Sequence, residues 1–188
     1  MIGNDIVDIT EAKLKSNWQR PRFLDKLFTE KEQYIILNSV DSFLMVWKLW
    51  SMKEAAYKLY TQLHPSRFYN PKAFECTVEE NLGRVTFQNF RCFVKTKTTS
   101  SFIMSEASFE DVEMTSISMV FNHFDVKKHS EILKSEILTL ISNMYDIQKQ
   151  SLSFHKNEIG VPTVHFNSKC INVSLAHHGN YGAFAIST

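Results

Sequence analysis

Between residues 45 and 59, apolar side chains recur at Met45, Leu49, Met52, Ala56 and Leu59. That is the i, i+4, i+7, i+11, i+14 spacing of a helix buried along one face. The opposite face carries Glu54 and Lys58 one turn apart, with Ser51 beside them and Trp47, Trp50 and Tyr57 around them. A helix face open to water is dominated by charged and small polar residues. This one therefore either packs on another element around a Glu54–Lys58 pair or lines a site that uses both charges. As a surface i,i+4 ion pair it contributes only about 0.2–0.5 kcal/mol.

Residues 1–9 alternate as a strand, with Gly3, Asp5, Val7 and Ile9 on one face and Ile2, Asn4, Ile6 and Asp8 on the other. Asp5 thus shares a face with Val7 and Ile9. A carboxylate turned toward a core must be paired, hydrogen-bonded or metal-bound; the alternative is that it lies at a frayed strand start or caps a turn. Thr29-Glu30-Lys31-Glu32 is a capping box and opens a short helix that runs toward Leu37 and ends near Asn38.

Residues 74–79, 85–94 and 116–121 predict strands, with a turn at Asn81-Leu82-Gly83. The Thr/Ser run 96–101 predicts an exposed loop or an edge strand. Asp125 is placed to cap a second long helix whose apolar face is Leu133, Ile137, Leu140, Ile141 and Met144. Residues 153–155 and 161–166 flank the hairpin turn Asn157-Glu158-Ile159-Gly160. Residues 171–175 and 181–186 alternate on either side of His177-His178-Gly179-Asn180. The expected fold is α+β, a small, mostly antiparallel sheet packed on two long helices. No internal repeat and no linker composition is present in the sequence, which predicts one domain over 1–188.

At 188 residues with 44% hydrophobic and 22% charged positions, the chain can bury a core and is not disordered. A net charge of +1 argues against non-specific nucleic-acid binding, which needs a broad basic surface. Cys76, Cys92 and Cys170 are too scattered for a disulfide framework or a zinc site and fit a reducing compartment. The N-terminus has no signal-peptide pattern, and no window approaches the roughly 20 apolar residues of a spanning helix. The expectation is a soluble, cytoplasmic protein without membrane association. One local charge bias stands out: Lys13, Lys15, Arg20, Arg22 and Lys26 against Glu11 and Asp25. It is either a solvated face or a docking surface for an acidic partner.

Asp5 and Glu54 are two hard oxygen ligands. They suit Mg2+, which takes one or two protein carboxylates and leaves its other positions to water and phosphate. Lys58 and His177 supply donors or positive charge for phosphate. Together they hold the ingredients of metal-assisted phosphoryl chemistry.

The order and wording of these motifs resemble the 4'-phosphopantetheinyl transferase superfamily. Gly3-Asn4-Asp5-Ile6-Val7-Asp8 resembles its opening G-x-D-I-V-E/D strand, and Phe28-Thr29-Glu30-Lys31-Glu32 its F-T-x-x-E. Trp50-Ser51-Met52-Lys53-Glu54-Ala55 with Lys58 is similar to its W-x-x-K-E-A/S-x-x-K helix. Gly160-Val161-Pro162, then Val173-Ser174-Leu175-Ala176-His177 and Tyr181 through Ala185, resemble its G-x-P strand and its final hairpin. The resemblance covers the first sixty residues and the last thirty or so. Its order is that of the short holo-acyl-carrier-protein synthase type, while the Trp-containing helix is closer to the longer, two-halved type.

The resemblance implies transfer of the 4'-phosphopantetheine arm of coenzyme A to a serine of an acyl- or peptidyl-carrier protein. Asp5 and Glu54 would hold Mg2+ against the pyrophosphate. Lys53, Lys58, Ser174 and His177 would serve coenzyme binding, with Lys58 steadying the phosphates. Glu54 or a metal-bound water is the implied base, and Lys13, Lys15, Arg20, Arg22 and Lys26 would dock the acidic carrier.

Three departures accompany the resemblance. The stretch 59–72 lacks the short type's glycines, with Arg67 and Lys72 as replacement phosphate donors. A middle block at about 78–149 has no counterpart. Val7 stands two residues after Asp5 where the family places a second acid, leaving Asp8 or water for any further ligand. Two other functions stay open: a non-catalytic member of the fold that binds a carrier or nucleotide, and a metal-dependent phosphohydrolase using Asp5, Glu54, His177 and His178. A monomer of two pseudo-equivalent halves and a ring of subunits are both compatible with the sequence.

Overall fold

The N-terminal alternation forms strand β1 (Gly3–Asp8), and a helical layer follows: α1 (Ile9–Lys15), α2 (Phe23–Leu27), α3 (Glu30–Leu37) and α4 (Ser42–Leu63). A 3-10 turn at Pro71–Ala73 leads into β2 (Glu75–Glu79), β3 (Leu82–Phe87), β4 (Phe90–Thr98) and β5 (Phe102–Ser108). Then come β6 (Thr115–Val120), α5 (Val126–Tyr145), β7 (Ser153–Lys156), β8 (Pro162–Phe166), β9 (Lys169–His178) and β10 (Tyr181–Ile186). The computed structural model describes all residues except 66, 67, 69, 111–114, 123, 124 and 188, and the side chains of 126 and 127.

The strands form two antiparallel sheets, ordered β1-β5-β4-β3-β2 and β6-β10-β9-β8-β7. In each, the first strand lies beside the last, and one long helix separates the first strand from the second along the chain. The same path is therefore traced twice, in an α+β fold.

Each sheet buries the apolar stripe of its own helix. Leu49, Met52, Ala56 and Leu59 of α4 are buried in one cluster with Val85, Val94, Ile103 and Ala107. Leu133, Ile137 and Ile141 of α5 are buried with Val164, Val173 and Phe184. Between the sheets lies a smaller cluster of Ile6, Met104, Ala176 and Ala183, flanked by Phe102 and Tyr181 with ring centroids 5.2 Å apart.

Several local expectations change. Residues 85–94 are not one strand: β3 ends at Phe87, Gln88 takes a left-handed conformation (φ 52°), and β4 starts at Phe90. The preceding turn centres on Glu80 (φ 51°) and Asn81, so Leu82 and Gly83 already belong to β3. Thr96–Ser101 is neither edge nor loop throughout, because residues 96–98 complete β4 inside the sheet. Strand β5 was not anticipated. Its buried Ser105 interrupts the apolar pattern and is satisfied by Thr96 Oγ1 at 3.0 Å. On α5, Met144 is exposed rather than buried.

Candidate functional site

Strand β1 ends one sheet, and side chains of β9 from the other sheet meet its main chain. The amide of Asn4 donates to Ser174 Oγ (2.9 Å) and that of Asp8 to His178 Nδ1 (3.0 Å). On its other side β1 touches α4 so closely at Gly3 that any Cβ there would collide with Ala55 O and Leu59 N. The missing side chain lets the helix backbone rest on the strand, which brings the Glu54–Lys58 segment beside Asp5.

Lys58 ties three pieces together. Its Nζ donates to Asn4 O (2.8 Å), to Leu175 O of β9 (3.3 Å) and to Asp5 Oδ1 (3.4 Å). Burial pushes the Asp5 carboxyl up to about 7; Lys58 opposes this, Glu54 adds to it, and the Ser51 hydroxyl favours the ionised form. Two carboxylates thus repel one another in a poorly solvated place, an arrangement that a cation relieves. Among the described residues no three His, Cys, Asp or Glu side chains gather to hold a metal. Asp5 and Glu54 fit a hard ion such as Mg2+, which completes its shell with water and phosphate.

A groove opens beside this seam. One cavity of about 220 Å³ is lined by Tyr57, Lys58 and Thr61 of α4 together with Gly160, Pro162 and Ser174. A second, of about 520 Å³, is lined by Ser130 and Lys134 of α5, Phe154 and His177. Lys156 and Leu175 border both. Partial burial lowers the His177 pKa, and His129, Lys58, His178 and Lys156 lower it further. Its Nε2 lies 3.4 Å from Ser130 Oγ. Lys58, Lys134 and Lys156 outweigh Glu131 among the groove's lining residues, which suits a polyanion. Lys134 and Lys156 were missed by sequence reasoning because neither belongs to a motif; the only signal was the position of Lys156 just before the Asn157–Gly160 turn.

Asp5, Glu54, Lys58, Ser174 and His177 are brought together along the seam and groove, with Ser174 nearly buried and its Oγ engaged by Asn4. Lys53 is not. Its ammonium is buried and donates to Glu32 (2.8 Å), Pro71 O (2.9 Å) and Phe74 O (2.5 Å), which accounts for all three of its protons. Glu32 also closes the capping box at Thr29 and accepts from Cys76 N (2.7 Å). Lys53 is a core cation and not a coenzyme contact.

Lys72 donates to Asp25 O (3.0 Å), which ties it to α2 and away from the groove. Arg67 lies outside the described residues. Asp8, the spare ligand candidate, accepts from Thr10 N, Glu11 N and Asn180 N, so it has no place at a metal with Asp5. His178 turns its Nδ1 to Asp8 N, which removes it from the phosphohydrolase constellation.

Lys13, Lys15, Arg20, Arg22 and Lys26 are all exposed. They form no single helix face. Lys13 and Lys15 lie on α1, where Lys15 pairs with Glu11 (2.6 Å), and Lys26 lies on α2. Lys13 and Arg20 rest over the rings of Phe43 and Phe23. Because α1 follows β1 directly, this basic surface starts at the seam.

A family model described as the 4'-phosphopantetheinyl transferase superfamily matches residues 1–115. That is more than half of the chain, and the chain belongs to this superfamily of transferases. No curated protein matches it significantly.

Proposed function

We propose that this chain transfers the 4'-phosphopantetheine arm of coenzyme A to a serine of an apo acyl- or peptidyl-carrier protein. The observation that carries this is the Asp5–Glu54 pair, two mutually repelling carboxylates, with Lys58 both bonded to Asp5 and lining the adjoining groove. Coenzyme A has the matching character, a pyrophosphate and a further phosphate on an elongated molecule.

Asp5 and Glu54 would hold Mg2+, which when bound neutralises charge on the pyrophosphate. Lys58, Lys156 and His177 line the groove as donors to the phosphates. Glu54 takes the proton of the carrier serine. The serine oxygen forms a bond to the phosphorus that bears the pantetheine arm, and the bridging P–O bond breaks to release adenosine 3',5'-bisphosphate. The exposed basic surface on α1 and α2 offers an acidic carrier a place to dock next to the seam. The repeated strand order supports a monomer in which one half supplies the carboxylates and the other the groove. Among the described residues no helix is long and apolar enough to cross a membrane.

The test is incubation with coenzyme A, Mg2+ and an apo carrier, read as mass added to the carrier. Glu54→Gln and Asp5→Asn should each lower transfer by roughly a hundredfold or more with the fold intact. Normal turnover by either variant would mean the carboxylates are misassigned. Coenzyme binding by the wild type without any transfer would favour a non-catalytic binding protein.

A further inference from the structure

Asp8 is 2% exposed, and its carboxylate is clasped from two directions. Oδ1 accepts from Thr10 N (2.9 Å) and Glu11 N (3.1 Å) at the start of α1, and Oδ2 accepts from Asn180 N (2.9 Å) in the β9–β10 turn. Its own amide donates to His178 Nδ1. Gly179, in the left-handed conformation (φ 54°), lies so close that a Cβ there would collide with Oδ2 and stand 2.8 Å from Cγ. A helix cap needs only the Thr10 and Glu11 contacts. The bond to Asn180 and the glycine that admits the carboxylate go beyond capping, and they join chain positions 172 residues apart.

We infer that Asp8 is a positioning residue that acts through His177. The turn it holds begins two residues after His177, and Asp8 itself lies three residues after Asp5 on β1. Its carboxylate therefore fixes the distance between the strand that carries the metal ligand and the hairpin that carries the phosphate donor. The same group fixes the first turn of α1, whose last turn carries Lys13 and Lys15. One buried anion thus sets the register of the carrier-facing surface, the carboxylate strand and the phosphate-facing hairpin. His178, held neutral as an acceptor for the Asp8 amide, completes the clasp, and burial keeps its pKa low. This inference rests on the proposal that His177 meets coenzyme phosphates.

Two substitutions undo the clasp from opposite sides. Asp8→Asn retains the volume but supplies only one oxygen for the helix cap and the turn. Gly179→Ala retains Asp8 and crowds it. Each should raise the coenzyme A dissociation constant, measured by titration calorimetry, by roughly tenfold or more, since small misplacement of a positioned group has large effects. The combined variant should be little worse than the poorer single one, because both break the same contact. A lower melting temperature with an unchanged dissociation constant would overturn the inference, as would single effects that multiply. If Asp8→Asn does not fold, Gly179→Ala carries the test. If the wild-type protein binds no coenzyme A, the functional proposal fails, and the clasp is then read by NMR without ligand. Displaced Asn180 amide and His177 ring signals in the variants would support it, and unmoved signals would overturn it.

Discussion

Strands β1 and β6 occupy the same place in their sheets, yet their residues differ in kind. Phe102 and Tyr181 each follow the hairpin turn of their sheet, which gives a common origin for comparing registers. Asp8 lies opposite Phe102 and Val120 opposite Tyr181; Asp5 lies opposite Ser105 and Ile117 opposite Phe184. Ile117 therefore stands where Asp5 does, and Val120 where Asp8 does. On the hairpins, Thr98 and Thr99 hold the places of His177 and His178. The difference extends to packing, because β1 lies closely against β9 and β10, while β6 has no comparable contact with the first sheet among the described residues. A repeated path supplies two equivalent strand positions, and both packing and side chains make a seam at only one of them.

That contrast can be broken at four points, beginning with the largest effect. Lys53→Met removes one partner of a buried pair and strands Glu32, which should cost about 3–5 kcal/mol in urea unfolding. Coenzyme affinity of the folded fraction should not change. A selective loss of binding would return Lys53 to the site.

The second point is pH. Asp5 is raised from 3.8 to about 7 in the folded chain, so between these values the native state holds more protons than the unfolded one. Metal-free stability should therefore fall as pH rises through that window and level off above it. Asp5→Asn should flatten this slope, and Mg2+ should raise the melting temperature most above the window. A slope of the opposite sign would show that Asp5 is held ionised without metal.

Third, reversing the charge of Arg20 and Arg22 should raise KM for an acidic carrier severalfold at low salt. The effect should shrink above about 0.15 M salt and leave coenzyme binding alone. Equal loss of coenzyme binding would reassign these residues to the phosphates. The smallest effect is expected for Ile117→Asp. At 39% exposure it should change stability by no more than about 0.5 kcal/mol and leave transfer intact. A second equivalent of bound coenzyme would show that the β6 position is competent even without the seam.

The carboxylate strand, the capping box, the long helix and the C-terminal hairpins were legible because each follows a simple period or carries a fixed motif. The duplicated path was not, since it is a repetition of connections, and Ile117 shares no chemistry with Asp5. Strand β5 hid behind the buried Thr96–Ser105 pair, which reads as polar in the sequence and as interior in the fold. Lys53 was misplaced for a geometric reason. Neighbours on a helix point about 100° apart, so when Glu54 faces the strand, Lys53 must face elsewhere. Lys134 and Lys156 join the site only through the way α5 meets β9 and β7 pairs with β8, which no local pattern encodes.

The bonds from β1 to Ser174, His178 and Asn180 span about nine-tenths of the chain. During synthesis the first strand emerges long before its partners. Its pairing with β5 and its rest against α4 can form early, while the seam waits for β9 and β10. Contacts so distant in sequence close late and slowly. A ribosome-bound chain stopped short of residue 180 should thus hold a folded first sheet and no completed seam.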